Sequence, residues 1–274
     1  MAPIKKLSAP HSVSVFTEPP VLSKGKTTYQ LSSGDFVKDL DDSGKTKRRT
    51  LDEIPYLILG FDTEFKTPDY LVNKQDIKEG RAKYRVLSYQ FHAKMSSGEE
   101  WQGICCPEGD ERMTMGEFIS FALGKGVKEH GINTLPTRIY LAGHFTRADI
   151  PAFGDFQDQT AYMSSVRGSF ISIEHSTPLN MAFEDGDSVG IEVFIRDTML
   201  LTPQASKSLK EIGKLVGVEK VELHPDRSVY KEMISNMDSV RDTQWDLFKR
   251  YALTDAEICV RYIERVIEQY QSVT

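Results

Sequence analysis

No stretch of this chain is apolar for the ~18 residues that a membrane-spanning helix needs, which excludes a helical span. The N-terminus, Met-Ala-Pro-Ile-Lys-Lys, lacks the apolar core of a secretory signal. Cysteine is scarce, with three in 274 residues, two of them the neighbours Cys105 and Cys106. Three thiols cannot all pair within one chain, so a disulfide framework is not expected. A reducing intracellular compartment, the cytoplasm, fits better. Histidine is also sparse, and His92, His175 and His224 show none of the paired spacing of a zinc site. Internal repeats are missing.

Positive charge is short overall, giving a net charge of −6. Residues 1–50 hold nine Lys/Arg and five Asp/Glu, a balance of +4, which leaves −10 for residues 51–274. That balance argues against a histone-like protein that coats nucleic acid. It leaves room for an enzyme whose active centre is itself a cluster of carboxylates. With 39% hydrophobic and 27% charged residues, the composition is that of a soluble globular protein of one large domain or two small ones.

The chain divides near residue 50. Residues 1–50 are polar, rich in Ser, Thr, Lys and Pro, and end in Lys45-Thr-Lys-Arg-Arg49. They are expected to form a flexible basic arm, either a solubilising tail or a segment that contacts backbone phosphates. Residues 51–274 read as a single mixed α/β domain. The apolar run 56–61 is short enough for a buried strand. Residues 84–91 and 101–106 form a hairpin around Ser97-Gly98. Residues 115–125 predict a helix ending near Gly126, residues 138–142 a further buried strand, and residues 168–197 more strands. Ser208-Leu-Lys-Glu211 has the form of a capping box, and Gly217 is a plausible stop. Residues 244–270 predict a long last helix.

Four acids interrupt these apolar patterns. Asp62 and Glu64 follow the first strand, and residues two apart on a strand face the same side. In the last helix, Phe248, Tyr251, Ala252, Cys259, Tyr262, Ile263, Val266 and Tyr270 recur at spacings of three and four, a buried stripe. Asp255 falls inside that stripe. An unpartnered buried carboxylate costs several kcal/mol, so either a basic group or a metal ion must meet it. Asp149 lies just beyond strand 138–142, where by itself it reads as a first-turn helix acid. Together, acids on two strand ends and one helix face can converge. Hard divalent cations favour such oxygen ligands, and two of them clamp the attacking and leaving oxygens of a phosphodiester.

Phe61-Asp-Thr-Glu-Phe65, His144-Phe-Thr-Arg-Ala-Asp149 and Tyr251-Ala-Leu-Thr-Asp255 resemble, in order and spacing, the three motifs of the DEDD exonuclease superfamily. The Tyr-X-X-X-Asp third motif is similar to the DEDDy branch, which includes proofreading domains of family A and B DNA polymerases. Residues 208–217 look like the helix before the third motif in family B polymerases, particularly the protein-primed type of phages and linear plasmids. The resemblance covers about residues 55–270.

It implies an RNase H-like fold, with a mixed central β-sheet flanked by helices, and 3′→5′ exonuclease activity with two divalent ions, Mg²⁺ or Mn²⁺. Asp62, Glu64, Asp149 and Asp255 would be the metal ligands, and Tyr251 would orient the attacking water. With a pKa of ~10, tyrosine is a poor free base, so positioning is its expected role. The family's second motif often has Asn after His, to hold the frayed strand, and an aromatic before Asp. Here those places are Phe145 and Ala148. Phe145 and Arg147 are candidates to replace that grip, by stacking and phosphate contact, with core packing the alternative for Phe145. Thr63 and Phe65 complete the candidate substrate contacts, Phe65 dividing between stacking on the terminal base and core packing.

Asp197 is expected to cap a turn, His144 to be a hydrogen-bonded core residue, and Lys66 with the charged stretch 74–83 to be solvated or to border the groove. The expected partner is single-stranded nucleic acid, DNA before RNA, with a polymerase or a replication or defence protein in trans, and no membrane. The alternatives are an exoribonuclease, or a catalytically weak exonuclease fold that binds single strands or protein.

Overall fold

The apolar run at 56–61 becomes the centre of the molecule. The computed structural model describes residues 31–38, 42–45, 54–66, 85–203 and 207–272. Strand β1 (Tyr56–Lys66) is buried on both faces along most of its length, which is why it reads as continuously apolar. β2 (Arg85–Met95) pairs antiparallel with β1, and β3 (Glu100–Cys105) with β2, across the hairpin read around Ser97-Gly98. β4 (Arg138–Gly143) runs parallel to β1, β8 (Ser188–Asp197) runs parallel to β4, and β7 (Thr177–Ala182) closes the edge antiparallel to β8. The sheet order is β3-β2-β1-β4-β8-β7, the mixed order of an RNase H-like fold. A small separate hairpin joins β5 (Ser164–Val166) to β6 (Ser169–Ile171).

Helices cover the two faces. On one side α1 (Met115–His130) helps build an aromatic core of Phe61, Phe91, Phe118, Phe121, Phe153 and Tyr89. The single turns α2 (Thr146–Asp149) and α3 (Phe156–Gln159) follow β4, and α4 (Thr198–Leu201) follows β8. On the other side lie α5 (Leu209–Val216), α6 (Arg227–Ser235), α7 (Met237–Thr243) and the long α8 (Trp245–Gln271). Ser208 and Glu211 form the expected capping box of α5, and Gly217 ends it in the left-handed region at φ 77°.

Three readings change. The helix from Met115 does not stop near Gly126 but runs to His130 and caps at Gly131, φ 69°. Gly126 serves close packing, since a Cβ there would stand 2.7 Å from the Trp101 ring. Tyr270, counted in the buried stripe of the last helix, is 69% exposed because α8 outruns the sheet it packs on. Within the stretch read as an arm, Leu31 enters the main core and Val37 N–H donates to the Asn133 carbonyl at 2.7 Å. Asp185 accepts hydrogen bonds from the hydroxyls of Ser32 and Ser33. These contacts lie at the end of the sheet where β4 and β8 begin, opposite the acids. Residues 1–30 and the stretch 74–83 lie outside the described residues.

One contact sets the depth of α8. A Cβ on Gly60 would stand 2.2 Å from the Ala256 carbonyl oxygen and 2.7 Å from Val260. Only glycine lets the helix backbone reach β1, and Ala256 directly follows Asp255. Gly60→Ala should therefore destabilise the fold by at least the ~1–3 kcal/mol usual for overpacking, because the obstacle is backbone. Urea unfolding checks this; an unchanged midpoint would mean that α8 is free to back away.

Candidate active site

β1 continues past its apolar run, so Asp62 and Glu64 do share a face, as the two-residue period requires. Between them, Thr63 donates both its N–H (3.2 Å) and its hydroxyl (2.5 Å) to Asp149 Oδ1. The strand register places Gln90 opposite Asp62, and the Gln90 amide donates to Asp62 Oδ2 at 2.7 Å. Ser88 in turn fixes Gln90, donating to its carbonyl oxygen at 2.8 Å. From the other side, α8 presents Tyr251 and, one turn on, Asp255. Asp62, Glu64, Asp149, Tyr251 and Asp255 all line one cleft of about 490 Å³. Thr63, Phe65 and Phe145 line it too, whereas Arg147 does not; it packs over Gly168 of the β5–β6 turn. A slightly larger depression of about 530 Å³ lies along β3, between His92 and Lys249, away from all four acids.

Burial and mutual repulsion set the electrostatics. Asp62 and Glu64 titrate well above the usual carboxylate range, chiefly through burial, then through Asp149 and Glu64 for Asp62, and Asp255 and Asp149 for Glu64. Asp149 is pushed up to about 7 by burial, against the hydrogen bonds from Thr63. Asp255 is raised by burial despite an ion pair with Lys220. Lys220 also lies 5.0 Å from the centroid of the Tyr251 ring. Its own pKa is raised, because attraction to Asp255 and the hydrogen bond it donates to that carboxylate outweigh burial. The Tyr251 hydroxyl is driven far above its ordinary value by burial, Glu64, Asp255 and the neighbouring Tyr230, so it stays protonated.

Among the described residues, no group of three His, Cys, Asp or Glu side chains stands arranged to hold a metal ion. Lys220, Gln90 and Thr63 each hold one of the acids instead. The donor chemistry nonetheless fits a hard divalent cation. Four carboxylates crowd one cleft, their charged forms are disfavoured, and buried Asp255 Oδ1 has no hydrogen-bond partner among the described residues.

The rim is held by Asp197. Its carboxylate caps α4 through Met199 N–H (2.9 Å), as its position predicted, but it also accepts the N–H groups of Phe145 (3.1 Å) and Thr146 (2.9 Å). This clamp keeps Phe145 at φ 61°, an unusual conformation for a bulky residue, with its side chain 42% exposed at the cleft. Core packing is thus not its role. His144 meets the Thr198 hydroxyl at 3.0 Å, and burial lowers its pKa. Lys66 is a strand-end residue paired with Asp238 at 2.6 Å.

Lys220, Gln90 and the clamp by Asp197 have no signature in the local sequence pattern. Gln90 is visible only through strand register, and Lys220 lies in an aperiodic polar stretch.

The sheet order is that of an RNase H-like domain, with the acid cluster at the ends of its central strands. No protein-family model matches the chain. Over 229 residues it is 27% identical to the primer-independent DNA polymerase PolB of Escherichia coli, an alignment covering 77% of this chain and 25% of that polymerase. The chain thus spans about a quarter of that relative's length, and its resemblance to family B DNA polymerases has a counterpart in a named enzyme. A solved structure of 3′-end specific recognition of histone mRNA stem-loop by 3′-exonuclease aligns with 78% of this chain and 82% of that one. Its 10% identity and TM-score of 0.33 are too low to carry weight. No described helix is long and apolar enough to cross a membrane.

Proposed function

We propose that residues 51–274 form a metal-dependent 3′→5′ exonuclease domain acting on single-stranded or frayed DNA ends, with residues 1–50 as an appended segment. The observation that carries this reading is the convergence of Asp62, Glu64, Asp149, Asp255 and Tyr251 on one cleft. Asp62, Glu64, Asp149 and Asp255 would hold two divalent ions, Mg²⁺ or Mn²⁺. Such ions supply Lewis acidity at the phosphodiester and lower the pKa of bound water. The chain's own residues do the rest. Tyr251, held protonated, orients rather than abstracts. Lys220 fixes Asp255 and so the helix-borne ligand. Phe65, Phe145, Ile234 and Met237 give the cleft an apolar wall for a terminal base. A polymerase acting in trans, or in the same polypeptide, would make the activity proofreading.

The test is an end-labelled single strand with Mn²⁺. Stepwise shortening from the 3′ end is expected, with Asp62→Ala slower by at least about a hundredfold, the scale for losing one electrostatic contact to the transition state. Equal turnover by wild type and variant would reject the reading. A matched RNA strand in the same assay decides the sugar, and faster RNA cleavage would replace DNA by RNA as the substrate.

Asp197→Ala should release the Phe145 turn. Several buried donors lose their acceptor, so stability should fall by about 2–3 kcal/mol. KM for the strand should rise roughly tenfold while kcat changes less, because a positioning contact is lost rather than a ligand. Steady-state kinetics separate the two; a fall in kcat alone would place Asp197 nearer the chemistry.

A further inference from the structure

Parallel strands are ordinarily covered on both faces. One face of the parallel pair β4–β8 obeys this rule: Ile139, Leu141, Val193 and Ile195 sink into the main core. On the other face α5 and α8 cover Ala142 and pack against Tyr140, while Arg138 and Tyr140 from β4, and Phe194 and Arg196 from β8, stay only half-buried. The register sets Tyr140 opposite Phe194 and Arg196 opposite Ala142. Both guanidiniums lie over the Phe194 ring, Arg138 at 5.2 Å and Arg196 at 5.3 Å from its centroid, and Arg196 is also 5.8 Å from the centroid of Tyr140.

Two cations sharing one ring repel each other. Burial above all, and Arg138 with it, lowers the pKa of Arg196. Among the described residues, Arg138 meets one carboxylate, the exposed Glu192 at 3.5 Å, and its buried Nε has no hydrogen-bond partner. Arg196 donates to two backbone carbonyls, Ser172 (2.9 Å) and Ile195 (3.0 Å), and pairs with no carboxylate among the described residues. In a domain of net charge −10, a guanidinium pair held over aromatic rings without full neutralisation is complementary to an anion. Planar guanidinium forks match phosphate oxygens.

Position selects the kind of anion. Arg196 directly precedes Asp197, whose carboxylate holds Phe145 at the rim of the cleft. Both guanidiniums stand within 5.3 Å of the one Phe194 centroid, so they face the same short stretch of ligand beside the residue that holds the cleft rim, where planar forks can meet neighbouring phosphates of a strand leaving the cleft. We propose that this arginine–aromatic face is a second nucleic-acid contact, which grips the backbone phosphates of the strand whose 3′ end enters the cleft. The proposal rests on the exonuclease reading for the polarity of that strand.

The test is fluorescence anisotropy with EDTA, using the full chain and a labelled single strand of about twelve nucleotides, titrated with salt. Arg196→Gln and Arg138→Gln should each weaken binding about five- to tenfold and reduce the salt slope by about 1. Arg196→Lys should keep most of the slope, and melting curves confirm that all three variants fold. With Mn²⁺, the kcat/KM advantage of the long strand over a trinucleotide should shrink in both Gln variants. Unchanged affinity and slope in both folded Gln variants, or no binding of the long strand by wild type, overturns the proposal. The two readings can fail separately. Hydrolysis with no effect of either Gln variant removes the face alone. Loss of binding in those variants without any hydrolysis leaves the face standing and removes the exonuclease.

Discussion

Glu64→Gln is expected to make the metal-free protein more stable and catalytically dead. Glu64 is only 9% exposed and shares its cleft with three other carboxylates and one ammonium. Its charged form is penalised by burial and by Asp255 and Asp149, so a neutral side chain of the same shape removes a cost. A gain of about 1–2 kcal/mol is the usual yield of relieving a functional site, equivalent to a few degrees in Tm. On the proposed exonuclease reading, hydrolysis should fall by roughly 10²–10³ or more, because Glu64 would be one of the metal ligands.

The pH dependence has a definite sign. Asp149 titrates at about 7 in the folded chain against an ordinary 3.8, so the folded form binds its proton more tightly than the unfolded form. Its contribution therefore favours the fold at low pH and is lost as pH rises from near 4 to near 7. Melting in EDTA at pH 5 and pH 8 should show that loss, and millimolar Mn²⁺ should reverse it at pH 8. A Glu64→Gln protein that melts no higher than wild type in EDTA at pH 8 would contradict the crowding.

Lys220→Met should be the most destabilising single change at the site. Its ammonium pairs with Asp255 and lies against the face of Tyr251, and both carboxylate and ammonium are largely buried. Removing one member of a buried pair leaves the other uncompensated, at about 3–5 kcal/mol. Protonation of Asp255, whose pKa is already raised, limits the loss at acid pH, so the effect should be larger at pH 8 than at pH 5. Lys220→Met with Asp255→Asn should recover most of the stability but no activity. Urea unfolding of the four-member cycle measures the coupling. Additive losses would mean that the pair contributes nothing.

How much of this was legible in advance follows from the range of each interaction. The Asp62–Glu64 pair rests on a two-residue period, and Asp255 on a three-to-four period, both local. Sheet class and the capping box of α5 are local as well. Gln90 became visible only when the register set it opposite Asp62. Asp197 was read correctly as a cap, but its grip on Phe145 and Thr146 crosses from β8 to the end of β4, which no local pattern encodes. Lys220 comes from a polar stretch whose partner is 35 residues away. Gly126 misled for a related reason: the glycine serves Trp101, a neighbour in space, and not the helix end. Tyr270 kept the helical period beyond the sheet that gives the period its meaning.

The contact of Gly60 with Ala256 also orders events in time. Three of the four acids lie in the first 149 residues, and the fourth sits on α8, about 190 residues after Asp62. Bringing such distant segments together carries a loop-closure cost that short-range pairings do not. During synthesis, the sheet's acids emerge well before the helix that completes the set, and that helix can seat only on a finished β1. The growing chain thus carries no assembled acid cluster, and under the proposed exonuclease reading it would stay inert beside nucleic acid until its fold is complete.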